Sequence, residues 1–506
     1  MKRLKKLLAV LGVFTILCAN APVIHAQEEE TSQQGEGDLL QQILDRGELI
    51  VGTSPDFRPM EFIDTTKEGQ DQYVGCDMDM AKYIADKLGV KLTIKAMDFD
   101  AVLASVTTRQ IDMAITGITK TPERASSMEM TDSYFDEEGE SGWQGILIKE
   151  DMKDVYTSLE TLNGKKIAVQ SGSLQDFYVK DQLPEAKVQY ITQLNDAIEL
   201  LNNGTVDAVA VAYGNGKEFV ESKEGLYIDE KLLFTLNADY TGNRIGIPKG
   251  ETALTNRVND IIKEIKDNHL YEEWYQNALN YDKTIIKGNF VERVFQVAQI
   301  YWPKFLTGLG YTLGISLITV LCGTLLGMVL ALAKLAKSKI IQFVATAYIE
   351  IIRGTPLLLQ LWLFVTIFAL FKAEMQVSVI IALIANSAAY VAEIIRGGIT
   401  SVDKGQWEAA KSLGMSNRNM MVKIIFPQAF KTILPSLGNE FIMMVKETSL
   451  ASTFYIGELM TANNVIKTAT YLSLETLTIT GIIYLVVTFS LSKLVNYMER
   501  RMRVSD

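Results

Sequence analysis

The pattern of apolar and polar positions divides the chain into two halves of different character. Between Leu49 and Asp282, short apolar stretches alternate with amphipathic ones. The stretch LIVGT, residues 49–53, is typical of a buried strand, and CDMDMAKYIADKLG further on places apolar residues at helical spacing before a glycine stop. Strands that alternate with helices predict parallel sheets covered by helices on both faces. The first half is therefore expected to be an α/β domain, long enough for two lobes.

From Tyr301 onward the chain carries long apolar runs instead. A membrane-spanning helix needs roughly 20 predominantly apolar residues. Five runs reach this length, the second and fourth with polar breaks: 305–335, 340–371, 377–397, 432–454 and 472–497. The second half, 301–506, is thus predicted to be an all-α membrane domain with about five transmembrane helices. A short mixed linker, 283–300, joins it to the first domain, 38–282.

Charge and cysteine usage indicate where each half lies. Residues 1–26 have a basic start, an apolar core and a small-residue end, which is the layout of an export signal; cleavage after Ala26 and retention as an anchor are both open. Basic residues cluster after the first predicted span, between the third and fourth, and at the C-terminus. The positive-inside rule makes these segments cytoplasmic and the first half extracellular. Only one of the 3 cysteines falls in the exported half, so no disulfide framework is expected.

The longest cytoplasmic loop, 404–430, contains the stretch EAAKSLGMSNRNMMVKIIFPQAF. Glu408, Ala409 and Ala410 would begin a short helix that Gly414 ends. A merely solvated basic loop does not need an ordered glycine and proline at these offsets. The stretch resembles the EAA loop of the membrane subunits of ABC importers, and it departs from that pattern at Phe426. The resemblance implies a coupling helix that docks into a groove of a cytoplasmic ATPase.

Other stretches of the second half, EIIRGTPLLLQL, NSAAYVAEIIRGGI and KETSLAS, are similar to the polar amino acid branch of these permeases. The implied fold is a type I importer permease. Since five spans are too few to enclose a pathway, two copies of the chain are expected around a twofold axis. The sequence has no G-x-x-x-x-G-K-[ST] phosphate loop, so two copies of a separate ATPase subunit would use the ATP. No cofactor bound by this chain and no nucleic-acid partner is expected.

Polar residues inside the predicted spans are candidates for the transport pathway. Gln360, Asn386 and Glu440 lie at predicted membrane depth. Polar and ionisable groups are costly there and usually face a cavity or one another. These three residues are predicted to line a polar pathway, and structural pairing between helices is the alternative.

The first half resembles the polar amino acid-binding proteins that feed such permeases, which have a two-lobe fold of the periplasmic-binding-protein type. Its best-matched stretch is IDMAITGITKTPER. The resemblance implies that Arg124 pairs with the ligand α-carboxylate, while Thr119 adds its hydroxyl and backbone N–H. A guanidinium fork fits a carboxylate with two parallel hydrogen bonds, and the TGIT turn at Gly117 would expose backbone donors. A surface ion pair of Arg124 with Glu123 or Glu129 is the alternative.

Three more residues stand at positions that this family uses in its cleft. Phe57 and Phe99 match aromatic walls that sandwich the ligand side chain, although a lone phenylalanine is also a common core residue. In the second lobe, VQSGSLQDF matches a turn that offers backbone N–H groups and a hydroxyl, here Ser173. The resemblance therefore implies an amino acid site between the lobes.

The stretch VDAVAVAYGNG, residues 206–216, departs from the family pattern. It is predicted to be a short buried strand that ends in a Gly-rich turn. Ala212 stands where the family usually has an aspartate for the ligand ammonium, and a second acidic position of some members is Ser54 here. An ammonium left unpaired in a closed cleft would cost several kcal/mol.

Three solutions to the missing acid are open. Another acid substitutes for it, with Glu61, Asp100 and the segment 136–142 as candidates. Backbone carbonyls do so together with the Tyr213 or Asn215 side chains. Or the ligand is not an ordinary α-amino acid. We favour the substitute acid, and the lack of acids expected near the side-chain pocket argues against arginine, lysine or histidine.

The sequence therefore predicts the fused substrate-binding and permease subunit of an ATP-driven importer for polar amino acids, most similar to glutamine importers, in the bacterial plasma membrane. A ligand-gated channel or sensor on the same binding fold is the alternative, and the EAA-like loop argues against it. An enzyme on this fold would need a nucleophile and a base. The chain has 2 histidines, one of them in the signal, and no visible catalytic set.

Overall fold

The computed structural model describes residues 39–135, 143–223, 225–237, 240–281, 286–369, 371 and 373–503. The predicted signal, 1–26, and the candidate acidic segment, 136–142, lie outside the described residues. The strands are β1 (Glu48–Thr53), β2 (Asp56–Phe57), β3 (Glu61–Ile63), β4 (Tyr73–Val74), β5 (Lys91–Ala96), β6 (Met113–Thr119), β7 (Met128–Met130), β8 (Gln144–Lys149), β9 (Lys166–Gln170), β10 (Lys187–Ile191), β11 (Ala208–Ala212), β12 (Leu226–Leu233) and β13 (Asn243–Pro248). The helices are α1 (Leu39–Arg46), α2 (Cys76–Leu88), α3 (Phe99–Thr107), α4 (Pro122–Ser127), α5 (Leu174–Gln182), α6 (Leu194–Asn202), α7 (Tyr213–Ser222), α8 (Thr252–Asp267), α9 (Leu270–Leu279), α10 (Phe290–Lys334), α11 (Lys339–Arg353), α12 (Leu357–Ala369), α13 (Met375–Thr400), α14 (Lys404–Ser412), α15 (Asn417–Met420), α16 (Phe426–Glu447), α17 (Leu459–Thr470) and α18 (Ser473–Arg503).

The first lobe is built on a sheet with the strand order β5-β1-β6-β13-β7. Strands β5, β1 and β6 are parallel, as predicted, whereas β13 runs antiparallel to both β6 and β7. This exception arises because the chain leaves the lobe after β7 and returns only at β13. Helices α2, α8 and α9 share one apolar core with this sheet, in which Ile84, Val258 and Tyr271 are fully buried.

The second lobe has the strand order β10-β9-β11-β8-β12, in which β8 runs antiparallel to both of its neighbours, β11 and β12. Side chains of β11 alternate between two cores. Ala208 and Ala210 pack on the side of α5, while Val209 and Val211 pack on the side of α6 and α7. The strand ends at Ala212 and α7 begins at the next residue. The predicted Gly-rich turn is therefore wrong, because those glycines lie in the first turns of a helix.

Three helices of the membrane domain are long and apolar enough to cross a membrane: α10, α13 and α18. Helices α11 and α12 pass this test only as a pair bent by 113°, which would make a fourth span. The predicted five spans are one more than this criterion finds among the described residues. The predicted fourth span corresponds to α16 and a 3-10 turn, Thr448–Phe454, and its polar residues include Glu440, Lys446 and Glu447. Such a helix must be shielded by protein rather than lipid.

Helix α10 begins at Phe290, inside the segment predicted to be a linker. Asn289 starts it with a reciprocal cap: Asn289 Oδ1 accepts from Glu292 N at 3.0 Å, and Glu292 Oε2 accepts from Asn289 N at 3.1 Å. Such a capping box satisfies two donors at the helix start. Further along, a Cβ at Gly327 would lie 2.9 Å from Ala388 O of α13, so the two helices approach at backbone distance.

Candidate functional site

The cleft between the lobes brings together all seven substrate-binding residues predicted from the sequence. They are Phe57, Phe99, Gly117, Thr119, Arg124, Ser173 and Ala212. The first lobe contributes from β2, β6, the start of α3 and α4, and the second from the positions that precede α5 and α7. Strand ends and helix starts therefore converge on the cleft, as is usual for ligand sites in open α/β sheets. The role of these residues in binding stays a prediction.

Arg124 is the buried cation of the cleft. Its backbone N–H donates to Thr121 Oγ1 at 3.3 Å, which caps the start of α4. Its Nη1 donates to Thr119 O at 2.8 Å, and its Nη2 crosses to the second lobe and donates to Gly172 O at 2.7 Å. The residue is 6% exposed, and burial lowers its pKa to about 10, so it remains charged at neutral pH.

The partners of Arg124 leave its charge unneutralised. Among the described residues, no carboxylate forms an ion pair with it; Glu129 pairs instead with Lys249 at 3.4 Å. The ring centroid of Phe99 lies 5.5 Å from the guanidinium carbon, within the range of a cation–π contact. A buried guanidinium held by neutral carbonyls is suited to an anion from outside the chain.

Gly117 contributes shape rather than a hydrogen-bond donor. Its φ is +55°, and a Cβ at this position would lie 3.1 Å from the ring of Phe57. Glycine therefore lets the aromatic wall pack against β6. The backbone N–H of Gly117 donates to Asp77 Oδ2 at 3.0 Å. This N–H is therefore not among the backbone donors that the TGIT stretch can offer a ligand, because a buried carboxylate already accepts from it.

Ser173 adds to the positive side of the cleft. Its Oγ accepts from Asp176 N at 3.1 Å and so caps the start of α5. Because that acceptor is used within the cap, Ser173 offers a ligand its hydroxyl proton. The N-terminus of α5, with its partial positive charge, follows the Gly172 carbonyl that Arg124 contacts. Both features favour an anionic group at this place.

Two carboxylates of the first lobe also face the cleft. Asp56 Oδ1 accepts from Ser54 Oγ at 2.8 Å, and Glu61 Oε1 accepts from Thr116 Oγ1 at 2.6 Å. The other oxygen of each carboxylate is buried and has no hydrogen-bond donor among the described residues. Burial raises the pKa of Asp56 to about 6, and burial together with the neighbouring Asp77 raises the pKa of Glu61. Each acid therefore has a buried oxygen without a donor, and a cation bound beside it would favour its ionised form.

These acids bear on the missing aspartate at position 212. Ala212 is buried at the start of α7 and offers no side-chain polar atom. Of the candidate substitutes, Glu61 lines the cleft and Asp100 does not; the Asp100 carboxylate accepts a backbone N–H at 2.9 Å. The Asn215 side chain donates to Arg58 O at 3.0 Å, which ties the two lobes together. The geometry thus favours Glu61 among the candidates.

Several cleft residues were not predicted from the sequence. They include Asp56, Gln144, Gln175 and Asn243. For Asp56 the available signal was its position directly before the predicted wall residue Phe57. Gln144 has no local signal, because it reaches the cleft by pairing with Ala212 across strands β8 and β11. Its Oε1 accepts from Gln175 Nε2 at 2.5 Å, so two amides lie side by side near the missing acid.

The EAA-like loop has the short helix that the sequence predicts, although it begins earlier, at Lys404, and a second short helix, α15, follows it. Glu408, Ala409 and Ala410 lie on α14, and Gly414 follows its end with a φ of +70°, a conformation that favours glycine. Ala410 is buried against the membrane domain, whereas Glu408 and Ala409 are exposed. Leu413 beside them is 81% exposed. The loop therefore presents an acid and a large apolar side chain on its outer surface.

Two of the predicted pathway residues meet at the bend between α11 and α12. Gln360 Nε2 donates to two backbone carbonyls at the end of α11 and in the bend, at 2.7 and 3.0 Å. Asn386 Nδ2 donates to Gln360 Oε1 at 2.9 Å. Glu440 accepts from Ser387 Oγ at 2.9 Å, which joins α16 to α13. These side chains brace helix contacts in the structure, and their part in a pathway stays a prediction.

Two known families match the chain in succession. Residues 49–280 match the bacterial extracellular solute-binding proteins, family 3. Residues 323–504 match the inner membrane component of binding-protein-dependent transport systems. The family boundaries agree with the two-lobe α/β domain and the helical domain described above.

Three curated relatives from Bacillus subtilis (strain 168) align with the membrane half. The L-cystine transport system permease protein TcyB is 36% identical over 41% of this chain and 89% of its own length. The arginine transport system permease protein ArtQ is 39% identical over 40% of this chain and 94% of its length. The probable glutamine ABC transporter permease protein GlnM is 36% identical over 40% of this chain and 95% of its length. All three names refer to the transport of an amino acid, but each names a different one.

Proposed function

Because the chain belongs to the family of binding-protein-dependent transport components, with a family 3 solute-binding domain fused in front of its permease domain, we propose that it captures a polar amino acid in the cleft and delivers it to its own membrane domain. The charge pattern of the cleft carries this proposal. The buried guanidinium of Arg124 and the open carboxylate oxygens of Asp56 and Glu61 line one site. That pattern complements a zwitterion. The absence of an acid at position 212 is therefore compatible with an α-amino acid ligand.

The remaining lining favours a polar side chain. Phe57 and Phe99 provide aromatic walls, and the amides of Gln144, Gln175 and Asn243 bring both donors and acceptors. A glutamine-like amide would match these groups in both directions. Since two acids face the cleft, the argument from sequence against a cationic side chain is lost. We therefore keep glutamine as the first candidate and arginine as the second.

The membrane half would complete the importer together with other chains. We infer that two cytoplasmic ATPase subunits dock on the exposed loop surface of Glu408, Ala409 and Leu413. A second copy of this chain would enclose the pathway with the first. The binding domain would lie outside the bacterial plasma membrane and the loop inside, as the basic segments indicate. ATP hydrolysis would belong to the partner, and this chain would alter no covalent bond of the solute.

An acid-rescue experiment tests the binding part of the proposal. Calorimetric titration of the full-length chain with the proteinogenic amino acids should show saturable binding of at least one polar amino acid. The double substitution Asp56→Asn with Glu61→Gln should weaken that binding by about tenfold or more, because the ammonium loses its charged partners. Adding Ala212→Asp to this variant should restore most of the affinity, since an acid then stands at the position the family uses.

The possible results separate the roles of these groups. A native chain that binds no amino acid would refute the proposal. A double variant that binds like the native chain would show that Asp56 and Glu61 do not hold the ammonium. A loss that Ala212→Asp fails to rescue would assign the two acids to the solute side chain. Asp100→Asn, which removes an acid of the same lobe that does not line the cleft, should leave the affinity unchanged.

Binding should also weaken as the solution becomes acidic. Burial raises the pKa of Asp56 to about 6, and the carboxylate must be ionised to hold an ammonium. A bound cation would lower that pKa, so protons compete with the solute. The dissociation constant is therefore expected to rise roughly tenfold between pH 7 and pH 5, as measured by titration across this range. Asp56→Asn should flatten the profile, and a flat profile in the native chain would contradict the role of this acid.

A further inference from the structure

The binding domain contacts the membrane domain through both of its lobes. From the first lobe, Asp98 N donates to Thr453 O at 3.3 Å. From the second lobe, Asp196 Oδ1 accepts from Lys467 Nζ at 2.8 Å. Thr453 lies in the 3-10 turn after α16, and Lys467 lies on α17. One short region of the membrane domain therefore contacts both lobes at once.

Gln193 joins the three parts at a single point. It is buried and directly precedes α6 of the second lobe. Its Nε2 donates to Asp98 Oδ1 of the first lobe at 3.2 Å and to Tyr455 OH of the membrane domain at 3.3 Å. Because Gln193 and Asp98 belong to different lobes, this arrangement requires a closed cleft. Tyr455 thus contacts a surface that lobe opening would take apart.

Lys467 lies in acidic surroundings drawn from both lobes. The residue is 3% exposed, although it belongs to the membrane domain and its partner Asp196 to the binding domain. Burial raises the pKa of Asp98 to about 7 and that of Asp56 to about 6, and the charge of Lys467 opposes both shifts. A buried ammonium is costly without carboxylates around it. Its present position is therefore favourable only while the acids of the two lobes stay together.

We propose that Lys467 is the residue through which the membrane domain recognises the closed binding domain. With the lobes apart, Asp98 and Asp196 would separate, so Lys467 would lose part of its acidic surroundings and Tyr455 would lose one of its contacts. Docking would then be selective for the closed cleft. The inference rests on the proposed function, because it takes the closed cleft to be the solute-bound state. An exposed ion pair contributes little to such recognition, but here the lysine is buried between two domains.

A charge-reversal experiment tests this assignment in the assembled importer. Full-length chains with their ATPase are placed in proteoliposomes, and uptake of radiolabelled L-glutamine and L-arginine is measured. Lys467→Asp and Asp196→Lys should each reduce uptake by about tenfold or more, because each places two like charges at the contact. The combination of both should restore uptake to within about threefold of the native rate, since it re-forms the pair with its signs exchanged.

An ion pair within the second lobe serves as the matched control. Lys223 Nζ lies 2.8 Å from Glu199 Oε1, and both residues belong to the second lobe. Lys223→Glu and Glu199→Lys should leave uptake near the native rate. Binding of the same two amino acids to each full-length variant shows that it folds.

Three results would overturn one inference or the other. Single reversals at Lys467 or Asp196 that transport like the native chain would refute the docking role. So would a combined variant that binds solute but does not regain uptake. If the unaltered chain takes up neither amino acid, the proposed solute class fails instead.

The variant Gln193→Ala tests the same docking surface independently. It should lower uptake while solute binding persists, and unchanged uptake would also count against the docking surface.

Discussion

Replacement of Arg124 by alanine is expected to abolish measurable binding of the solute. The solute carboxylate would then enter a closed cleft without the one cation that the proposal gives it as a partner. Removing one partner of a buried charge pair typically costs about 3–5 kcal/mol, which corresponds to a loss of roughly two to four orders of magnitude in affinity. Titration of the full-length Arg124→Ala chain with the amino acid that binds the native protein measures this loss directly.

Two further variants separate the causes of the loss. Arg124→Lys keeps the charge but not the planar fork, so it should bind with intermediate affinity. Arg109→Ala removes an arginine of the same lobe that pairs with Glu251 at the surface, and it should leave binding unchanged. Binding of Arg124→Ala within about threefold of the native affinity would remove the carboxylate anchor from the proposal.

The contact between Arg124 and the second lobe adds a structural consequence. Its Nη2 donates to Gly172 O at 2.7 Å, so truncation also removes a hydrogen bond between the lobes. Asn215 and Gln193 make other bonds across the cleft. Since these remain in the variant, the lobes of Arg124→Ala can still close, and the binding loss is expected to come mainly from the missing charge.

The binding residues that the sequence predicts lie in local motifs. Arg124 and Thr119 are five positions apart, and the turn between them is set by the Thr121 cap of α4. Ser173 likewise caps the helix that follows it. Such motifs can be recognised from a few neighbouring residues, and the doubly covered sheets then bring strand ends and helix starts to one cleft.

The residues that the sequence did not predict depend on pairing between distant segments. Gln144 reaches the cleft because β8 lies antiparallel to β11, opposite Ala212. Asp56 gains its raised pKa and its open oxygen from burial, which its sequence neighbours do not indicate. The sequence therefore showed that the usual aspartate is missing at position 212. It did not show which acids the packing of distant segments would bring to the cleft instead.

Hydropathy alone does not describe the contacts of the membrane half, for a related reason. It treats lipid as the neighbour of every residue in a span, but α16 carries Glu440, whose carboxylate accepts from Ser387 on α13. The bend between α11 and α12 is supported by Gln360, which donates to backbone carbonyls near the bend. Polar residues in this domain thus make contacts between helices that only the packed structure shows.

Reversal of charge at Glu408 is expected to stop uptake while solute binding persists. Glu408 and Ala409 are exposed on α14, and Leu413 next to them is 81% exposed, so this surface is open to a partner. At the centre of a protein interface, one unfavourable side chain can weaken association by roughly thirtyfold. Uptake of radiolabelled amino acid by Glu408→Lys proteoliposomes, together with retention of the ATPase during purification, measures both consequences.

The opposite face of the same helix provides the control that makes this result specific. Gln406 lies two residues before Glu408, about 200° around the helix, and its Oε1 accepts from Gln428 Nε2 at 3.3 Å on the side of the membrane domain. Gln406→Lys should therefore keep its ATPase and most of its uptake. If Glu408→Lys retains the ATPase and transports normally, α14 is not the coupling surface. If both variants lose transport and the ATPase together, the helix has been disrupted. A third change, Ala409→Asp, then distinguishes a loss of docking from a loss of folding, because only a folded chain still binds solute. Loss of transport confined to Glu408→Lys would identify the face of α14 that carries Glu408 as the surface through which ATP hydrolysis drives the membrane domain.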